Sequence, residues 1–90
     1  MNAAPSHRER DDSYAGVVAV LNVGWRVVVC RDNLQWILQR RDGARHGRAR
    51  WTGRSYCRTR EALIRVSRGH VGEIDAAALA ILHSMPERLP

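Results

Sequence analysis

The stretch WRVVVCRDNLQWILQR, residues Trp25–Arg40, decides the fold. Its first part, Trp25–Cys30, is rich in β-branched residues, and in Leu34–Arg40 apolar and polar residues alternate as they do in a strand with one buried face. Arg31–Asn33 between them is a turn by composition, because Asp and Asn tolerate left-handed backbone and form hydrogen bonds with it locally. The stretch therefore predicts an antiparallel β-hairpin.

Further elements are predicted on both sides of this hairpin. Gly16–Val23 is apolar and β-branched and could add a strand before it, while Arg50–Tyr56 would form a strand after it. Helical periodicity and good N-cap residues predict one helix over about Arg60–Arg68 and a second over Ala76–Met85.

This order of elements predicts the α+β class. We expect a small three-stranded antiparallel sheet, with an extra N-terminal strand if Gly16–Val23 pairs, packed on one face by two C-terminal helices. Ninety residues leave no space for a second domain. Residues 15–90 are therefore interpreted as a single domain, and the polar residues 1–14 as a disordered N-terminal arm with little to bury.

Positive charge is concentrated in the middle of the chain. The run RRDGARHGRARWTGRSYCRTREAL, Arg40–Leu63, contains eight arginines and two acids. All 15 basic residues are arginine, and the stretch Arg26–Arg68 has a net charge of +9. This pattern favours a polyanionic partner. Codon bias in a GC-rich genome is the alternative; it would explain arginine in place of lysine, but explains less well the scarcity of acids in Arg40–Arg60.

The arginine-rich run is the candidate binding site. A guanidinium group can meet two phosphate oxygens at once, and a tyrosine ring can stack on a base. The predicted nucleic-acid-binding residues are Arg26, Arg41, Arg45, Arg48, Arg50, Arg54, Tyr56 and Arg58. We expect a nucleic-acid-binding protein, with DNA as the favoured partner. The alternative is a protein-interaction module, such as an inhibitor or adaptor, that docks on an acidic surface of a larger protein machine.

Catalysis finds little support in the sequence. The four histidines lie in different predicted elements, and no carboxylate pair has a plausible shared site. Cys57 is the best nucleophile candidate because neighbouring arginines would lower its pKa, but no base partner is identifiable. Cys30 and Cys57 lack metal-ligand spacing. We therefore predict no enzymatic activity, no catalytic residues, no metal and no cofactor.

The segment Trp25–Arg68 resembles the three-stranded DNA-binding domains of the AP2 and integrase arm-binding type. The resemblance rests on Trp36 in the second strand, a basic glycine-containing turn, and a third strand that leads into RTREAL. It implies that the sheet enters the major groove while the helix packs behind it. The implied sheet contacts are Arg26, Gln35, Gln39, Arg50 and Arg54, with Ala62, Leu63 and Val66 packing behind.

The remaining expectations concern compartment and assembly. The start of the chain, MNAAPSHRERDDSY, is too polar for a signal peptide, and no stretch approaches the roughly 20 apolar residues of a membrane span. We expect a cytoplasmic protein that does not associate with membranes and keeps its thiols reduced. An exposed strand edge at Trp25–Cys30 could pair with a second copy and give a homodimer.

Overall fold

The computed structural model describes residues 5–89 as a four-stranded antiparallel sheet and two helices. The strands are β1 (Val17–Asn22), β2 (Trp25–Val29), β3 (Trp36–Arg45) and β4 (Arg48–Cys57), and the helices are α1 (Arg60–His70) and α2 (Ala76–Ser84). The strands lie side by side in chain order. The predicted α+β class is confirmed, and the extra first strand makes the sheet four-stranded rather than three-stranded.

The predicted central hairpin is β2 paired with β3. The pairing runs from Trp25 opposite Arg40 to Val29 opposite Trp36, and Asn33 takes a left-handed φ of 60° in the connection. β3 begins two residues later than predicted. β1 pairs with the other side of β2, so the edge that we expected to be open for a second copy is occupied within the chain.

One face of the sheet packs against both helices and forms the main core. Trp36, Leu38, Leu63 and Leu82 are completely or almost completely buried in this layer, and each such side chain contributes about 1.5–3 kcal/mol by burial. Helix α1 starts where predicted, with the Thr59 hydroxyl accepting from the backbone N–H of Ala62 at 3.1 Å. These contacts fix the helix layer behind the sheet.

The second face of the sheet is covered by residues 5–16. Tyr14 is buried there with Val28 and Ile37, and its hydroxyl donates to the Val29 carbonyl at 2.7 Å. The sequence predicted a disordered arm over residues 1–14, of which residues 1–4 lie outside the described residues. Residues 5–14 form turns held by local hydrogen bonds, such as Ser6 Oγ to Asp11 Oδ2 at 2.7 Å. The sheet is therefore sandwiched between a helix layer and a thin N-terminal layer.

Arg26 anchors the N-terminal layer to the sheet. Its side chain is 2 % exposed, and its guanidinium lies 4.4 Å from the centre of the Trp51 ring. The guanidinium donates to four oxygens: Gln39 Oε1 (2.7 Å) and the carbonyls of Glu9 (3.0 Å), Asp11 (2.8 Å) and Asp12 (3.1 Å). Burial lowers the pKa of Arg26 to about 10, partly offset by the Asp12 and Asp11 carboxylates. The side chain therefore remains charged at neutral pH.

Arg26→Met is expected to detach the N-terminal layer, because it removes the donor that the carbonyls of Glu9, Asp11 and Asp12 share. We expect the free energy of unfolding to fall by about 2–4 kcal/mol, measured by urea denaturation. Trypsin should also cleave after Arg8 and Arg10 faster than in the unmodified protein. The control is Arg31→Met, since Arg31 is exposed. Equal stability and equal cleavage rates in the two variants would refute the anchoring role.

Candidate nucleic-acid interface

The β3–β4 hairpin extends beyond the rest of the sheet. Pairing of β3 with β2 ends at Arg40, whereas pairing with β4 continues to Arg45 opposite Arg48. Residues 41–50 therefore form a two-stranded extension of the sheet, here called the basic ribbon. Its root is attached on both sides, since the Arg41 N–H donates to the Gly24 carbonyl at 2.8 Å and Arg50 forms a bridge with Asp11. Its turn is the dipeptide His46-Gly47, with φ values of 52° and 75°. Two successive positive φ values are those of a two-residue type I′ turn, whose twist matches that of the strands.

The predicted strands Leu34–Arg40 and Arg50–Tyr56 leave residues 41–49 as a connecting loop, in which Gly43 and Gly47 are typical turn residues. The structure uses Gly47 in the turn and Gly43 in a bulge. Arg41 pairs with Trp51 and Ala44 with Ala49, so Asp42 and Gly43 together oppose one residue of β4. Gly43 has a φ of 76°, which a bulge of this kind accommodates in glycine. The pairing of β3 with β4 therefore continues past Gly43, although a glycine at this position suggests the end of a strand.

Four of the predicted binding residues lie in the basic ribbon. Arg41, Arg45 and Arg48 are exposed, and Arg50 is half-buried against the N-terminal layer. Within residues 5–89 the only salt bridge joins Arg50 Nη1 to Asp11 Oδ1 at 3.4 Å. Asp42, the one acid of the ribbon, accepts a hydrogen bond from Thr52 Oγ1 at 3.0 Å. The ribbon therefore keeps a net positive charge, and its exposed arginines form no salt bridge with a carboxylate of the described residues.

The predicted residues Arg54, Tyr56 and Arg58 lie away from the ribbon. A second bulge leaves Arg54 without a partner on β3, because Leu38 pairs with Ser55 and Gln39 with Gly53. The bulge moves Tyr56 onto the face of Gly53, with its hydroxyl over the glycine. Simple alternation along the predicted strand Arg50–Tyr56 would place Arg50, Arg54 and Tyr56 on one face, and the bulge prevents this. Arg58 follows the end of β4, roughly 30 Å along the strand from Arg48.

Arg26 lies beneath the N-terminal layer and offers no surface contact. Gln39, which the resemblance implied as another sheet contact, is also 2 % exposed and donates to the Glu9 carbonyl at 2.8 Å. The sheet face opposite the helices is thus occupied by residues 5–16. This face is therefore closed to a partner, whereas the arginines at the end of the β3–β4 hairpin are exposed.

A cleft between the ribbon and the N-terminal layer contains residues that sequence reasoning did not select. It is lined by Arg8, Asp11, Asp12, Ser13, Arg45, His46, Arg48, Ala49 and Arg50. The sequence carried a signal for the His46-Gly47 turn, since glycine in a short polar connection between strands is typical of hairpins. It carried none for Arg8 and Ser13, because their position depends on the long-range contacts of Arg26.

The structure does not support an activated thiol at Cys57. The side chain is buried on the helix side of the sheet. Burial raises the pKa of the Cys57 thiol, and Arg65 lowers it only in part. The neighbouring arginines therefore do not produce the thiolate that the sequence suggested, and a packed structural thiol fits these surroundings.

The Cys57 thiol should react slowly in the folded protein. In a Cys30→Ser variant, which leaves Cys57 as the sole thiol, we expect labelling by a maleimide at pH 8 to be at least about 100-fold slower than in urea-unfolded protein. Since the pKa is raised, the native labelling rate should keep increasing above the pH at which a free cysteine levels off. Rapid native labelling that levels off below pH 8 would contradict a buried, inert thiol.

Three further findings bear on function. No helix within residues 5–89 is long and apolar enough to cross a membrane. In the same part of the chain, no group of three or more His, Cys, Asp or Glu residues is placed to hold a metal ion. Comparison with protein-family models, curated proteins and solved structures finds no match for this chain. The geometry of the basic ribbon is therefore the basis for a functional assignment.

Proposed function

We propose that this protein binds nucleic acid, and DNA in the first instance, through the basic ribbon. The observation that carries the proposal is a two-stranded extension of the sheet with exposed arginines that form no salt bridge with a carboxylate of the described residues. A major groove of B-form DNA is wide enough to admit a two-stranded β-ribbon. Arg41, Arg45 and Arg48 are exposed on this ribbon, so phosphates can reach them.

Phosphate contacts would supply most of the affinity. Arg41, Arg45 and Arg48 are free to swing toward phosphates on either side of a groove, and Arg40 stands exposed at the base of the ribbon. Each phosphate neutralised contributes about −0.9 to the slope of log affinity against log salt. Three or four contacts therefore correspond to a slope of about −3 to −4, which is a quantitative signature of this mode of binding.

The surface proposed here differs from the one that the family resemblance implies. In the AP2 and integrase arm-binding type, the sheet face opposite the helix would meet DNA. Here that face is covered, so we propose that the ribbon and the adjoining part of β4 make the contact. Membership of that group remains a prediction. An acidic protein surface would attract the same arginines, and the binding experiment distinguishes the two partners.

Neutralising the ribbon should weaken DNA binding without unfolding the protein. We expect Arg41→Gln, Arg45→Gln and Arg48→Gln, combined in one variant, to lower the affinity for a random-sequence duplex of roughly 20 base pairs at least about tenfold at low salt. The magnitude of the salt slope should fall by about 3, one for each lost phosphate contact. Fluorescence anisotropy over a range of salt concentrations measures both quantities.

The matched control removes three exposed arginines elsewhere. Arg31→Gln, Arg65→Gln and Arg68→Gln give the same net charge but leave the ribbon intact. If both triple variants lose the same affinity, the ribbon is not the interface and only the overall charge matters. If neither duplex nor single-stranded DNA binds the unmodified protein in the micromolar range at low salt, nucleic acid is not the partner.

A further inference from the structure

We infer that the cleft between the ribbon and the N-terminal layer is a binding site for a phosphate group. This goes beyond the proposed function, since a free polyphosphate could occupy the site as well as a nucleic-acid backbone. The cleft brings Arg45, Arg48 and Arg50 of the ribbon together with Arg8 of the N-terminal layer. Several arginines that line one cleft are suited to the oxygens of a phosphate, because a guanidinium group can meet two of these oxygens at once.

The ribbon side of the cleft contains a pair of like charges. Arg45 and Arg48 lie directly opposite each other across the His46-Gly47 turn. Like charges in a directly opposed cross-strand pair destabilise a hairpin. Neither guanidinium forms a salt bridge with a carboxylate of the described residues. An anion bound between the two arginines would attract both and offset their mutual repulsion. We therefore place the phosphate there.

The two acids of the cleft do not neutralise it. Asp11 already interacts with Arg50 through one oxygen and accepts from Ser6 Oγ at 2.7 Å through the other. Asp12 accepts from Trp51 Nε1 at 3.0 Å. Four arginines against two engaged aspartates leave the cleft with an excess of positive charge. The aspartates hold the N-terminal layer in position, and Arg8, Arg45 and Arg48 remain for the ligand.

Polar groups beside the arginines favour a phosphate over a simple halide. Ser13 contributes a hydroxyl and His46 an imidazole to the lining, and both can donate hydrogen bonds to phosphate oxygens. These groups come from different parts of the chain. Arg8 and Ser13 lie on one side because Arg26 fixes residues 9–12, and His46 lies on the other because the type I′ turn places it at the ribbon tip.

The test is titration of the full chain with inorganic pyrophosphate at constant ionic strength, followed by amide chemical shifts and by calorimetry. We expect saturable shifts at residues 8, 13 and 45–50. A variant with Arg45→Gln and Arg48→Gln should bind pyrophosphate at least about tenfold more weakly, since it loses charge-assisted hydrogen bonds. Because both side chains are exposed, the variant should remain folded, which the unchanged shifts of its core residues will show.

The matched control is Arg65→Gln with Arg68→Gln, which should bind pyrophosphate as the unmodified protein does. Shifts spread over all exposed arginines, or equal affinity in the two double variants, would overturn the inference. A duplex added to the pyrophosphate complex identifies the source of the phosphate: displacement assigns the cleft to the nucleic-acid backbone, and simultaneous binding assigns it to a free phosphate compound. Both results support the inference that the cleft binds a phosphate group. Pyrophosphate binding without DNA binding would refute the proposed function alone.

Discussion

The contact on which the rest of the structure depends is the buried guanidinium of Arg26. It donates to the carbonyls of Glu9, Asp11 and Asp12 and to the amide oxygen of Gln39, and it stacks on Trp51. Arginine suits this task because its planar fork carries five donors, whereas lysine has three on a single atom. Burial of the charge is unfavourable and lowers the pKa of Arg26 to about 10. The hydrogen bonds and the nearby carboxylates offset that penalty.

The position of the ribbon relative to the N-terminal layer follows from this anchor. With residues 9–12 fixed, the Arg10 carbonyl accepts from the backbone N–H of Trp51 at 3.0 Å, so the layer also closes the outer edge of β4 at that point. The part of β4 that precedes Trp51 in the chain belongs to the ribbon. The layer therefore ends at the root of the ribbon, where it places Arg8 and Asp11 beside Arg48 and Arg50. Arg26 thus positions the N-terminal layer, which forms one side of the cleft that the other arginines line.

The parts of this fold that could be predicted from sequence are those determined by local pattern. The central hairpin follows from the alternation in Leu34–Arg40, and the start of α1 from Thr59. The bulges at Gly43 and Arg54 could not be predicted, because a single extra residue in one strand leaves no periodic signal. The N-terminal layer could not be predicted either, because Arg26 holds it through backbone carbonyls, which every residue has. Composition therefore could not distinguish the buried Arg26 from the exposed arginines.

The distribution of acids says more about the ribbon than the number of arginines. A coding bias can turn lysines into arginines throughout a chain, but it does not remove aspartate and glutamate from one part of it. Between Arg40 and Arg60 the one acid is Asp42, whereas residues 9–12 alone contain three acids. The ribbon would therefore be positive whichever basic residue it carried. The choice of arginine adds a second property, a planar fork that can hold one phosphate from two sides. The positive charge follows from the scarcity of acids, and the planar fork follows from the choice of arginine. Arg45 and Arg48, which lie opposite each other across one turn, have both properties.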